Sequence, residues 1–157
     1  MTQSDVTPAD LTASITINAS PAQVWALVSD LPRMSEFSPQ VVKTVVLGRA
    51  KKGARFVNLN TKHRRLFWPT TGKIVRFTPH SDFAFRITEN RTIWSFRLEP
   101  TADSGTLVTQ RREAPDGISV LSKGLTKSVL GGQEPFTAEL IKGMNQTLAR
   151  IKAAAER

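Results

Sequence analysis

Apolar and polar residues alternate through much of the chain. In "LTASITIN" (11–18), Ile15 and Ile17 are spaced by Ser14, Thr16 and Asn18, the period of a half-buried strand. Six further segments (41–48, 54–60, 68–79, 82–88, 92–100 and 105–114) are rich in β-branched and aromatic residues and are bounded by turn chemistry. The links 61–65, 79–81, 89–91 and 101–104 are short, so neighbouring strands are expected to pair as an antiparallel meander. The pattern changes period twice. In "SPAQVWALVSDLPRMSEFSP" (20–39), Ser20 is placed to cap a helix, Pro21 fits its first position and Gln23 completes a capping box. Leu31-Pro32 then disfavours helix, because the proline ring crowds the residue before it, and a second short turn is expected over 33–37. From Gln133 onward, Phe136, Leu140, Met144, Leu148, Ile151 and Ala155 recur every three or four residues, which predicts a helix of about 24 residues with one apolar stripe. Glu134 near its start and Lys152 and Arg157 near its end suit the helix dipole. The segment 117–132 reads as a shorter helix closed by Gly131-Gly132.

This order of elements has a geometric consequence. Seven strands about 4.8 Å apart make a sheet on the order of 30 Å wide, whereas one helix covers about 10–12 Å. The inner face, drawn from Phe83, Phe85, Ile87, Trp94, Phe96, Leu98 and Val108, must therefore meet the short helices, other side chains or a ligand. The broken helix around Trp25 is expected to act as a wedge at one end of a curved sheet, with the long helix closing the other side.

Composition narrows the chemistry. A chain of 157 residues suits one domain that buries roughly 68–70% of its unfolded surface, and the expected division is a flexible tail over 1–10 and one domain over 11–157. There is no cysteine, which excludes disulfides, thiol nucleophiles and cysteine-held metals. The start "MTQSDVTPADLT" lacks the basic and apolar regions of a signal peptide, and no run of 18 apolar residues occurs, so a cytoplasmic address is expected. The net charge is +9, and between Phe37 and Ser81 stand ten basic residues and no acidic one. Such a block either attracts anions or serves as a solvated basic surface. The two histidines, His63 and His80, fall in expected turns with no carboxylate in the surrounding segment, so no metal and no cofactor is expected. No nucleophile elbow, phosphate-binding glycine loop or His-Glu-x-x-His occurs.

The stretches "SPAQVWALVSDLPRMSEFSP", "WPTTGKIVRFTPHSDFAFRI", "WSFRLEPTADSGTLVTQ" and "GMNQTLARIKAAAE" together resemble the START-like, SRPBCC superfamily, and within it the bacterial polyketide cyclase/dehydrase-like proteins. The resemblance spans nearly the whole chain. It implies an α+β helix-grip fold: a seven-stranded curved antiparallel sheet around a long C-terminal helix, with two short helices after the first strand and an internal hydrophobic cavity. It is less informative about activity, because one fold hosts many functions.

Cyclases of that kind need polar groups inside the cavity. The candidates are Asn58 and Asn60 on one strand, Gln110 and Arg112 on another, and Arg86 or Arg97 if their faces point inward. Asn58 and Asn60 share a face with Phe56, a mixture that suits a lined pocket, although the same residues would also suit a solvent face or a strand end. Arg112 shares a face with Val108 and Gln110; it either enters the cavity, where a ligand carboxylate could pair with it, or reaches water or Glu113 at the strand end. Trp68, Trp94, Phe83, Phe85 and Phe96 are core or cavity wall, and Phe37, Leu140 and Met144 complete the expected lining. Gly143 sits in mid-helix, where glycine costs about 1 kcal/mol relative to alanine, and is expected to leave room above the cavity. Three functions stay open. The first is a carrier or sensor of a hydrophobic small molecule such as a lipid, isoprenoid or polyketide. The second is an aromatase/cyclase or dehydrase. The third is a surface role of the basic 49–65 segment toward an anionic membrane or RNA, with no specific nucleic acid expected.

Overall fold

The alternating segments form seven strands: β1 (Leu11–Ile17), β2 (Val41–Leu47), β3 (Arg55–Lys62), β4 (Leu66–Thr78), β5 (Asp82–Ile87), β6 (Ile93–Pro100) and β7 (Thr106–Glu113). The computed structural model describes residues 10–115 and 133–157, the side chains of 133–136 excepted. The helix expected over 117–132, most of the expected N-terminal tail and the side chain of Phe136 lie outside the described residues. The strands make one sheet in the order β1-β7-β6-β5-β4-β3-β2, with every neighbouring pair antiparallel. β2 to β7 meander as the short links require, and β1 returns along β7 with Ile15 opposite Val108. Register shifts at Val41/Lys43 and Ile74/Arg76 add local bends that help the sheet to curve.

Helix α1 (Pro21–Val28) starts as its sequence dictates. The Gln23 backbone N–H donates to Ser20 Oγ at 3.2 Å, and the Ser20 N–H donates to Gln23 Oε1 at 2.9 Å. Pro32 restricts the chain to a single 3₁₀ turn, Leu31–Arg33, followed by the one-turn helix α2 (Met34–Phe37). The long helix α3 (Gln133–Ala155) buries Met144, Leu148 and Ile151. Its last turn is tied to the first strand: the Asn18 N–H donates to Glu156 Oε2 at 2.7 Å, and Lys152 Nζ donates to the Thr16 carbonyl at 3.1 Å.

The core fills one end of this grip, where Ile17, Val24, Val28, Phe83, Val108, Leu148 and Ile151 are buried, and the same cluster continues through Phe96 to Phe85, Ile87 and Phe56. Trp25 presents its ring edge-on to Phe77 (5.2 Å) and Phe83 (6.1 Å), a geometry worth about 0.5–1.5 kcal/mol per pair beyond the buried area. One link is tighter than its sequence suggests. β3 runs to Lys62 and β4 begins at Leu66, so the turn shrinks to 63–65, with His63 and Arg64 at φ 54° and 55°. Two consecutive left-handed residues supply the twist a hairpin needs, but neither is the glycine or asparagine that usually signals it.

Candidate functional site

Strands β3, β5 and β7 each present inward residues two positions apart toward a cavity. On β5 the inward series is Phe83, Phe85, Ile87; on β7 it is Val108, Gln110, Arg112; on β3 it is Phe56, Asn58, Asn60. The first residue of the β5 and β7 series does not reach the cavity, whereas the later ones border a space of about 780 Å³, Phe85 and Ile87 while still belonging to the same buried cluster. Trp68 and Thr70 of β4, Trp94 and Phe96 of β6, Thr44 of β2, and Leu140, Gly143, Met144 and Thr147 of α3 close its walls. That volume lies in the range of about 300–1,000 Å³ usual for small-molecule sites. Two glycines shape it. A Cβ at Gly72 would collide with the Phe56 ring and stand 2.7 Å from the Arg86 carbonyl oxygen, so glycine lets that ring lie against β4. A Cβ at Gly143 would touch only Pro39 Cγ at 3.7 Å, so the helix is bare where it passes over the opening.

The polar wall is ordered by short hydrogen bonds. Thr44 Oγ1 donates to Asn58 Oδ1 at 2.6 Å, and Asn60 Nδ2 donates to Thr70 Oγ1 at 2.9 Å and to the Trp68 carbonyl at 3.2 Å. Thr92 Oγ1 donates to Asn90 Oδ1 at 2.7 Å and accepts from Trp94 Nε1 at 3.2 Å, which fixes the indole. Arg112 is 7% exposed, with its guanidinium 6.0 Å from the Trp94 ring centroid. Burial draws its pKa below the ordinary arginine value. Gln110 Oε1 and Thr61 Oγ1, both on lining residues, are buried without a hydrogen-bond partner. Buried polar atoms are rarely left so, and a donor on a bound molecule would complete either one. Around the rim stand Lys62, His63, Arg64, Lys142 and Arg150, with Glu139 the one acid among the described lining residues. The potential at the opening therefore favours an anion.

The sequence profile described as "Polyketide cyclase / dehydrase and lipid transport" matches residues 8–156. The chain belongs to this family. No curated protein sequence matches it. Among solved structures it is similar to the Zhui aromatase/cyclase from Streptomyces sp. R1128, with a TM-score of 0.77 at 13% identity over 94% of this chain and 93% of that one. It is also similar to the di-domain ARO/CYC StfQ from the steffimycin biosynthetic pathway, with a TM-score of 0.76 at 16% identity over 94% of this chain. The chain spans half of StfQ's length. Protein NE0264 from Nitrosomonas europaea matches with a TM-score of 0.66 at 14% identity over 93% of each chain. At these identities the likeness is one of fold: this family member has the helix-grip architecture.

Within that architecture, Asn58, Asn60, Trp68, Phe85, Trp94, Phe96, Gln110, Arg112, Leu140, Gly143 and Met144 come together around the cavity. Phe37 and Phe83 do not. Phe83 is sealed behind Trp25 and Phe77, where the wedge helix fills the space. Phe37 is buried at the base of α2 under the Arg33 guanidinium, and Leu31 and Met34 line the cavity from that segment instead. Arg86 and Arg97 stand on the outer face, because the inward positions of their strands are taken by Phe85, Ile87, Phe96 and Leu98. Glu113 lies 3.7 Å from Arg111, which also binds Asp10 at 2.8 Å, so it is Arg111 that occupies the solvent side of the β7 end. Thr44, Thr70, Thr92 and Thr147 belong to the wall but do not stand out in the sequence. Phe56 does carry a signal, its shared face with Asn58 and Asn60. Among the described residues, no three His, Asp or Glu side chains converge as a metal-binding group.

Proposed function

We propose that the chain binds a hydrophobic small molecule with an anionic or hydrogen-bonding end, held in the cavity as a carrier or sensor holds its cargo. The observation that carries this reading is the division of the lining: Phe56, Phe85, Ile87, Trp94, Phe96 and Met144 offer apolar surface, while Asn58, Asn60, Gln110 and Arg112 stand beside them. Burying roughly 400 Å² of apolar ligand surface at about 25 cal/mol per Å² gives a gross ~10 kcal/mol before association costs. Aromatic and aliphatic residues then supply affinity, and the polar residues select. Catalysis by proton transfer needs a positioned acid or base. Among the described lining residues the ionisable groups other than Arg112 sit at the rim, and the chain has no tyrosine. This favours binding over turnover.

The specific observation behind the enzymatic alternative is the run Asn58, Asn60, Gln110 and Arg112 itself, which could orient a poly-β-ketone for ring closure, as the ARO/CYC names of the similar structures suggest. The experiment titrates two probes: anionic anilinonaphthalene sulfonate and uncharged N-phenylnaphthylamine. Both are expected to saturate on the wild type, and Gly143→Leu, which places a side chain over the opening, is expected to abolish uptake while leaving the thermal melt intact. Uptake unchanged in that variant overturns the reading. Conversion of a poly-β-ketone thioester mimic to a ring product, rather than its release unaltered, selects the enzymatic alternative.

A further inference from the structure

Among the described residues, the outer face of β2, β3 and β4 carries most of the exposed large hydrophobic side chains. Val45, Leu47, Val57, Leu59 and Phe67 are exposed by 39–58%. The register places them together: Val45 is opposite Val57, Leu47 opposite Arg55, Lys43 opposite Leu59, and Leu59 opposite Pro69. Partnered residues share a face, so these side chains stand opposite the inward Thr44, Phe56 and Asn58. Lys43, Arg55 and Lys73 lie on the same outer face, and Arg49, Lys51 and Lys52 continue the positive charge around the β2–β3 loop. An acid also reaches this face: Glu89 accepts from the Thr71 N–H and hydroxyl at 2.8 Å each, and Thr71 stands opposite Val57.

We propose that this face docks on an anionic lipid surface. An exposed apolar centre with a basic surround is the pattern that enters the headgroup boundary: aliphatic side chains gain burial while lysine and arginine meet lipid phosphates. A second copy is disfavoured, because face-to-face pairing would set Lys43, Arg55 and Lys73 against their own like charges. Single-stranded nucleic acid is disfavoured as well, because it needs aromatic platforms and the patch has one aromatic, Phe67, among branched aliphatics. Docking is independent of what the cavity holds. Lys62, His63 and Arg64 belong both to the cavity rim and to the hairpin joining β3 to β4, so a docked molecule would bring the opening close to the lipid.

The test is flotation of the full chain with vesicles of phosphatidylcholine alone and of phosphatidylcholine mixed with phosphatidylglycerol. The expected result is partition to the mixed vesicles only, weakened by salt. The triple variant Lys43→Glu, Arg55→Glu, Lys73→Glu should lose at least about 100-fold in partition, at about fivefold or more per basic residue, the equivalent of about 1 kcal/mol each. Val57→Ser with Leu59→Ser, with folding checked by the thermal melt, should lose partition with every charge retained. No binding to mixed vesicles, equal binding to both kinds, full retention in either variant, or a concentration-dependent dimer through this face would overturn the proposal.

Discussion

The two ends of the same helix-and-sheet grip behave as different materials. At the end held by Trp25, inward residues of α3, β5 and β7 (Leu148 and Ile151, Phe83, Val108) are buried against one another and the wedge helix. Two residues further along the strands, and one or two turns back along the helix, Phe85, Gln110, Arg112, Met144 and Gly143 border a cavity of about 780 Å³. The secondary structure does not change between the ends; what changes is whether α1 lies opposite the sheet. The short helix α1 covers only part of the face, and the remainder borders the cavity. If the cavity holds a ligand as proposed, stability and binding are separated along one axis of the molecule.

If that separation holds, truncation should cost very different amounts at the two ends. Phe83→Ala should lower unfolding free energy by about 3–5 kcal/mol in denaturant titration, whereas Trp94→Ala, on a wall already open on one side, should cost less than half as much and weaken probe binding instead. Equal losses would erase the distinction. Gly72→Ala, which forces the Phe56 ring off β4, should cost about 1–3 kcal/mol, read as a lower Tm with an altered cavity volume in the variant's structure. Arg112→Met should reduce affinity for the anionic probe about tenfold or more, the range of a lost charged hydrogen bond, with the uncharged probe little affected. Gly143→Ala should raise stability by about 1 kcal/mol, since its Cβ meets only Pro39 at an ordinary contact distance. The smallest effect is at the sheet's solvent edge. The hydrogen bond from Arg111 holds the Asp10 carboxyl below the ordinary aspartate value. Its contribution is therefore complete above the unfolded-state pKa and is lost as pH falls through the lowered native one. The pair is exposed, so Asp10→Asn should flatten the acid limb of the stability profile by at most about 1 kcal/mol.

Most of the fold was legible because its signals are local. Ser20, Pro21, Gln23 and Pro32 start and stop the first helices by their own chemistry, and alternation in 82–88 and 92–100 assigns strand faces without knowledge of a partner. The site was legible only as a face. Phe83 and Phe85 are equivalent by period, and which one meets the cavity depends on how far Trp25 reaches across the sheet, a tertiary fact absent from either residue's neighbourhood. Phe37 is buried under Arg33 at the end of α2, while Leu31 and Met34 face the cavity, a choice set by how the one-turn helix packs. Thr44, Thr70 and Thr92 enter the wall through cross-strand register and hydrogen bonds to Asn58, Asn60 and Trp94, which single-strand patterns do not carry. The hairpin at His63 and Arg64 lacked its usual residues, so its three-residue length was hidden.

The measurement that bears most directly on the central claim is native mass spectrometry of the protein purified from its own host, followed by organic extraction. The account predicts a population heavier than the bare chain by one small molecule, which extraction releases and which is apolar with a polar or anionic end. A bare chain in every preparation, with no uptake of either naphthyl probe, would contradict it.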